Sequence, residues 1–184
     1  MSRYNASITD GLLSGAVRAY QLAGGNAPDL YIIEAPGAFE LVALSSAAAE
    51  SRKFRGVLAI GCIIKGETRH DEFLGHAVTQ GLVNISLITG VPVGLAVLTV
   101  NTTKQAADRA GGLLGNKGAE AMDALLQTAA EIDVLEDDEA LQARWQSPAN
   151  LVRMTHHEPF ARPDKAAKAP RRPAAKKRAR KGGR

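Results

Sequence analysis

The chain has 184 residues, of which 45% are hydrophobic and 4% aromatic, and its formal net charge is +4. This length fits one domain with an appendage, and the composition excludes a core built mainly on aromatic rings. No apolar run reaches the roughly 18 residues that a membrane-spanning helix needs, and the N-terminus lacks the apolar segment of a secretory signal. Cys62 is the single cysteine, which excludes an internal disulfide. We therefore expect a cytoplasmic protein with no membrane contact.

The charge is divided unevenly along the chain. Residues 161–184, which we call the basic tail, contain 11 of the 23 Lys and Arg residues and one of the 19 acidic residues. The tail therefore carries +10, whereas residues 1–160 carry −6. Its Ala, Pro, Lys and Arg composition offers too little apolar surface to form a core, so we expect disorder there. A polyanion or nucleic-acid partner is expected for the tail alone.

Hydrophobic periodicity and turn residues predict the elements. Ile8 and Leu12 begin a helical apolar pattern that ends at Gly24. Residues 56–64 form a continuous apolar run, as in a strand buried on both faces. In chain order the predicted elements are a helix at 8–23, a strand at 30–34, a helix at 38–52, a strand at 56–64, a helix at 68–89, a strand at 93–100, and helices at 102–111 and 118–133.

Alternating helices and strands predict an α/β domain, with a parallel sheet between two helical layers. We place this domain at residues 1–134, a linker or extra helix at 135–160, and the tail at 161–184. The first helix begins close to Met1, so the strand that normally opens a doubly wound domain is missing. We expect the natural protein to start upstream, with a Val- or Ile-rich strand before Arg3. Expressed from Met1, the chain should be poorly soluble or fail to assemble.

Two motifs follow predicted strands and suggest a small-molecule site. PGAFE occupies residues 36–40, and GCIIKGETRH occupies residues 61–70. Ligands of open α/β sheets bind at the carboxyl ends of the strands. The imidazole of His70 is suited to proton transfer, and residues 66–68 precede a predicted helix, whose N-terminus suits a phosphate or carboxylate. A solvent-facing histidine with no role in chemistry is the alternative for His70.

Several other side chains have both a structural and a functional interpretation. Arg109 is either a solvated helix residue or a phosphate ligand, and Lys117 is either a loop lysine or a neighbour of that phosphate. Tyr4 and Phe39 either pack on the core or stack on a flat heterocycle. Cys62 is interpreted as a buried strand residue rather than a nucleophile. The histidines show no metal-ligand spacing with Cys62, and no metal site is expected.

Six motifs in order resemble one family, the 6,7-dimethyl-8-ribityllumazine synthases, over roughly residues 2–132. Any one of them alone would be a weak signal, whereas their order and spacing together are specific. The motifs are SRYN at 2–5, PGAFE at 36–40, GCIIKGETRH at 61–70, TGVPVGLAVLT at 89–99, QAADRAG at 105–111 and GNKGAEA at 115–121.

The resemblance implies a flavodoxin-like fold and a transferase of riboflavin biosynthesis. Such an enzyme condenses 5-amino-6-(D-ribitylamino)uracil with 3,4-dihydroxy-2-butanone 4-phosphate and releases phosphate and water. It uses no organic cofactor and no metal. The family's sites lie between subunits, which implies a homo-oligomer, either a pentamer or a 60-subunit shell.

The resemblance also implies roles for individual residues, with His70 as the proton-transfer group. The residues implied on the pyrimidine side are Tyr4 by stacking, Ala38, Phe39 and Glu40 along the ribityl chain, and Cys62, Ile63 and Ile64 through their backbones. The residues implied around the phosphate are Glu67 and Thr68, Arg109 together with Leu95 from the adjacent subunit, and Lys117 in support. Leu95 stands where the family often has Phe.

Two other hypotheses compete with an active lumazine synthase. The chain could be a non-catalytic shell or scaffold protein of the same fold, with a tail that binds polyanions. It could also be the related archaeal type of riboflavin synthase. The joint presence of Glu40, His70 and Arg109 favours catalysis over a scaffold, and the PGAFE and GNKG motifs favour a lumazine synthase over the third hypothesis.

Overall fold

The computed structural model describes residues 1–146, and side chains as far as residue 144. Met1–Leu141 forms one compact unit, and a second unit begins at Gln142. The elements are α1 (Ala6–Leu22), α2 (Glu40–Glu50), β1 (Val57–Ile64), α3 (His70–Thr89), β2 (Val93–Val100), α4 (Thr103–Arg109), β3 (Ala110–Gly112), β4 (Gly115–Asn116), α5 (Lys117–Glu136) and α6 (Asp138–Gln146), with a short 3-10 helix at Ala27–Asp29.

The central sheet consists of β1 and β2, which pair in parallel from Val57↔Val93 to Ile64↔Val100. On the other edge of β1 lie residues 1–3, because the Ser2 N–H donates to the Ile60 carbonyl at 2.8 Å. Ser2 also forms a parallel bridge with Ala35. The lateral order is therefore residues 33–35, residues 1–3, β1 and β2.

Helices cover both faces of this sheet. One hydrophobic cluster packs β1 and β2 against α1, α4 and α5, with Leu12 fully buried. A second cluster packs the opposite face against α2 and α3, with Val78 fully buried. Strands buried on both faces require apolar side chains throughout, which explains the unbroken apolar run of β1. The predicted three-layer αβα architecture is confirmed.

Two predictions about local structure were wrong. Residues 30–34 form no regular strand, because their pairing with residues 1–3 is limited to one bridge at Ala35 and one bond from the Met1 amine to the Ile33 carbonyl. The glycine-rich segment after α4 is not a simple loop but a small antiparallel pair, in which β3 pairs with β4. Positive φ angles at Gly111 (112°) and Gly115 (79°) make this tight pairing possible.

The GNKG motif has a structural role at the start of α5. The Asn116 side chain accepts from the Gly118 N–H at 2.8 Å and donates to the Gly11 carbonyl of α1 at 2.8 Å. A Cβ atom at Gly118 would lie 2.0 Å from the Leu12 carbonyl oxygen, so only glycine allows this approach. Asn116 thus caps α5 and holds it against α1.

The C-terminal part of the chain is described only as far as α6, which lies within the segment predicted as a linker or extra helix. The basic tail lies outside the described residues, so the proposed domain boundaries stay predictions. No helix within residues 1–146 combines the length and the apolar character needed to cross a membrane.

Candidate functional site

The candidate site is built where three parallel chain segments end at the same edge of the sheet. The Arg3 N–H donates to the Ala35 carbonyl, and the Ala35 N–H donates to the Met1 carbonyl, each at 2.8 Å. Together with the bond from Ser2 to Ile60, these contacts align residues 1–3, residues 33–35 and β1. The loops that follow the three segments carry Tyr4, the PGAFE motif and the GETRH motif. The structure therefore brings the two motifs and Tyr4 to one edge.

Asn5 fixes the first of these loops and was missed by the sequence analysis. Its backbone is left-handed, with φ of 60°, and its side-chain amide donates to the Cys62 carbonyl at 2.9 Å. Asn is among the few non-glycine residues that tolerate this conformation, so an Asn directly before the first helix was the available signal. The contact holds Tyr4 beside the end of β1 with its side chain 73% exposed.

The PGAFE loop presents one aromatic ring and one carboxylate. Phe39 is 63% exposed, whereas Ala38 is buried beneath it against the second hydrophobic cluster. Glu40 is the first residue of α2. A Cβ atom at Gly37 would lie 2.9 Å from a carboxylate oxygen of Glu40, so glycine leaves room for this side chain over the loop.

The end of β1 contributes mainly backbone. Cys62 and Ile63 are buried, and Ile64 is half-buried at the last position of the strand. Burial raises the pKa of the Cys62 thiol to about 11. The thiol is therefore uncharged at neutral pH, which supports its interpretation as a packing residue rather than a nucleophile.

His70 is the first residue of α3 and is exposed at the sheet edge. The residue before the helix, Arg69, provides no side-chain cap, in contrast to Thr102 at α4. The first turn of α3 therefore offers backbone N–H groups to an anion, with one weak contact from the His70 N–H to the Thr68 hydroxyl at 3.4 Å. Glu67 and Thr68 are exposed beside these groups.

Arg69 is directed onto α3 instead of toward the loop. Its guanidinium donates to both carboxylate oxygens of Glu72, at 2.9 and 3.1 Å, and lies 5.5 Å from the centre of the Phe73 ring. These hydrogen bonds hold the pKa of the Glu72 carboxyl below its ordinary value. The positive guanidinium of Arg69 thereby compensates the negative charge of Glu72 at the helix start.

Three predicted site residues are not tied to this cluster. Leu95 pairs with Ala59, on the amino half of β1, so it lies about five residues, or roughly 16 Å, from the carboxyl end of its strand. Arg109 donates to the Gln105 carbonyl at 3.1 Å, and Lys117 pairs with Glu120. Within residues 1–146, no hydrogen bond or ion pair joins these three side chains to the His70 loop.

Comparison with known proteins identifies the family. Residues 1–133 match the family model described as 6,7-dimethyl-8-ribityllumazine synthase. Proteins of that name from Nitratidesulfovibrio vulgaris and Rhodopirellula baltica are each 42% identical to the chain, covering 69% and 68% of it and 81% of their own length. The one from Buchnera aphidicola is 39% identical, covering 73% of this chain and 86% of its own. The chain belongs to this family. The resemblance that the six motifs indicated is confirmed.

The Cys62 thiol generates a prediction about pH. Folding raises its pKa from 9.0 to about 11, so between these values the unfolded chain loses a proton that the folded chain retains. The thiol's contribution to stability is therefore complete below pH 9 and is lost progressively as the pH rises toward 11. From pH 8 to pH 10, the free energy of unfolding measured in urea should fall less for Cys62→Ala than for the unaltered chain. Equal losses in the two proteins would contradict this.

Proposed function

We propose that this chain catalyses the reaction of its family, the condensation of 5-amino-6-(D-ribitylamino)uracil with 3,4-dihydroxy-2-butanone 4-phosphate. The product is 6,7-dimethyl-8-ribityllumazine, and phosphate and water are released. The observation that carries the proposal is the convergence of Tyr4, residues 38–40 and residues 67–70 at one sheet edge, within the region that matches the family. As a biosynthetic enzyme with a single, buried cysteine, it is expected in the cytoplasm.

The pyrimidine substrate is assigned to the space between the first two loops and β1. The exposed ring of Tyr4 offers a stacking surface for a flat heterocycle. The backbone groups of residues 62–64 are assigned to the uracil edge. The Cys62 carbonyl already accepts from Asn5, but a carbonyl oxygen can accept a second hydrogen bond. Phe39 and Glu40 are placed to contact the polar ribityl chain and to orient the attacking amine. Ala38 supports them from the buried side.

The phosphate of the second substrate is assigned to the start of α3. The uncapped N–H groups of the first turn and the helix dipole both favour an anion there. Glu67 and Thr68 flank these groups, and the Thr68 hydroxyl is a further donor. Arg109 of an adjacent subunit would supply the opposing positive charge, with Lys117 in support, since no hydrogen bond or ion pair of the described residues joins either side chain to the His70 loop.

His70 is assigned the proton transfers. The amine attacks the ketone carbon, and loss of water from the adduct gives an imine. Elimination of phosphate and closure of the ring follow, and each step moves a proton onto or off an oxygen, nitrogen or carbon atom. An imidazole next to the bound phosphate can accept and return protons near neutral pH, while the two binding regions hold the reactants together.

A homo-oligomer is supported by apolar side chains that a single subunit leaves in water. Such surfaces typically mark interfaces between proteins. Leu95 is 47% exposed on β2. Within its own chain it lies far from the carboxyl end of the strand. This position fits a contribution to the site of the next subunit. Other exposed apolar residues include Phe73, Val83, Leu87 and Ile88 of α3 and Leu113 and Leu114 of the β3–β4 turn. A pentamer or a 60-subunit shell would cover them.

The basic tail is proposed to contact a polyanion without a part in the condensation. Its 11 basic residues within residues 161–184 can neutralise several phosphates of a nucleic acid. The body of the chain has the opposite charge, so such binding would belong to the tail. This partner role would accompany catalysis rather than replace it.

Replacing His70 by alanine should lower kcat/KM about 10- to 10³-fold, because a positioned acid–base group is typically worth about 10²–10⁴ in rate. His76, also exposed on α3, provides the matched control. His76→Ala should retain the full rate, which steady-state product fluorescence will measure for both variants. An unchanged kcat/KM for His70→Ala would remove this residue from the mechanism and favour the scaffold hypothesis.

Arg109→Ala should weaken binding of the phosphorylated substrate by about 2–3 kcal/mol, as expected for loss of a charge-assisted pair. Binding of the uracil substrate should change little. Mixed oligomers of the Arg109→Ala and His70→Ala variants test whether each site is formed by two subunits. If Arg109 acts in the adjacent subunit, unfolding and reassembling equal amounts of the two variants should restore about one quarter of the sites. Each variant reassembled alone is the control. Activity no higher than these controls would place both residues in one subunit.

Deleting residues 161–184 should leave kcat/KM intact and abolish binding to a short DNA duplex. Binding by the full chain should fall steeply with salt, because each neutralised phosphate releases counterions. A variant of full length with the 11 basic tail residues changed to Gln separates charge from length. Loss of activity on deletion, or DNA binding by the Gln variant equal to that of the full chain, would contradict this assignment.

A further inference from the structure

Asn5 stands at the start of α1 without capping it. Asn is among the residues preferred at this position, because its side-chain oxygen can accept from backbone N–H groups of the first turn. Asn116 does this at α5, where it accepts from the Gly118 and Ala119 N–H groups at 2.8 and 3.1 Å. The Asn5 side chain makes no such bond at α1. Its amide group serves a different contact.

That contact joins α1 to the carboxyl end of β1. The Asn5 side-chain amide donates to the Cys62 carbonyl at 2.9 Å. The backbone carbonyl of Asn5 starts the helix by accepting from the N–H groups of Ile8 and Thr9, at 2.9 and 3.1 Å. Between the two contacts the backbone is left-handed, with φ of 60° and ψ of 45°, a conformation that few side chains tolerate. One residue thus connects the helix start to the strand end.

The ring of Tyr4 depends on the backbone of this turn for its position. The Tyr4 side chain is 73% exposed, and in the part of the chain that the structure describes it has no hydrogen bond or ring contact. Its backbone is held on both sides. The preceding Arg3 N–H donates to the Ala35 carbonyl at 2.8 Å, and the following Asn5 binds Cys62. The bond to Cys62 is therefore the contact that places Tyr4 relative to the end of β1.

We propose that Asn5 is a positioning residue for the pyrimidine substrate, because it holds the ring of Tyr4 in place relative to the backbone of residues 62–64. This inference rests on the proposed function, which assigns both surfaces to the same heterocycle. A flat ring uses both only when the aromatic face lies over its plane and the backbone groups lie within its plane. The bond from Asn5 to Cys62 joins the two surfaces directly, since Asn5 follows Tyr4 and Cys62 begins the backbone segment.

Asn5→Gly tests this role, because glycine adopts a φ of 60° without strain and only the side chain is lost. Calorimetry with assembled protein should show about tenfold weaker binding of the uracil substrate, within the range expected for loss of a base–aromatic stack. The KM for this substrate should rise, whereas the KM for the phosphorylated substrate should stay unchanged. In a Tyr4→Ala background, Asn5→Gly should change the affinity for the uracil substrate less than about twofold, since no ring is left to position.

Ser86→Ala is the matched control. The Ser86 hydroxyl accepts from the Val93 N–H at 2.9 Å, so it also joins a helix to a strand, but at the amino end of β2. Its loss should lower stability and leave the affinity for the uracil substrate unchanged. Uracil binding that weakens equally in Ser86→Ala and Asn5→Gly would reduce Asn5 to a general stabilising contact and overturn the proposal.

Hydrogen exchange without substrate separates this inference from the proposed function. In Asn5→Gly, the amides of residues 4–9 should exchange about fivefold faster than in the unaltered chain, as expected for loss of one hydrogen bond, and Ser86→Ala should not change them. Unchanged exchange in Asn5→Gly, an equal rise in both KM values, or an effect of Asn5→Gly that persists without Tyr4 would overturn the role of Asn5. Faster exchange in a chain that binds no uracil substrate even unaltered would instead contradict the proposed function, and with it the substrate named here.

Discussion

The site depends on the backbone pairing of residues 1–3 with β1 on one side and with Ala35 on the other. These hydrogen bonds, with one from the Met1 amine to the Ile33 carbonyl, align the three loop-bearing segments in one direction. Because parallel strands end together, Tyr4, the PGAFE loop and the start of α3 meet at one edge. Together with the hydrogen bond from Asn5 to the Cys62 carbonyl, this pairing ties Tyr4 to the strand that leads into the His70 loop.

Much of the fold follows from hydrophobic periodicity, because helices and buried strands depend mainly on their own side chains. Strand β2 was predicted residue for residue, and the helices to within a few residues. The strand predicted at residues 30–34 was not found, since a strand also requires a partner along its length, and here the pairing is limited to Ile33 and Ala35. The β3–β4 pair was missed because it depends on the backbone conformation of Gly111 and Gly115. The pattern of apolar residues carries no information about that conformation.

The site was predicted in part for the same reason. Motifs reveal residue types and the ends of strands, so the meeting of His70 and the PGAFE motif at one sheet edge was predicted from the sequence, while their roles stay predictions. Asn5 was not, since its contribution is one hydrogen bond to a residue 57 positions away. The pairing of Arg69 with Glu72 and its contact with Phe73 were not predicted either, because both depend on the turn of α3. The roles proposed for Leu95 and Arg109 require a second subunit.

The central claim is that the sheet edge of this chain condenses two substrates into a lumazine. The most direct measurement follows product fluorescence and phosphate release with purified, assembled protein and both substrates. We expect both signals to rise together, with one phosphate for each lumazine formed, and to require the simultaneous presence of both substrates. A folded, assembled protein that releases no phosphate and forms no lumazine would contradict the claim.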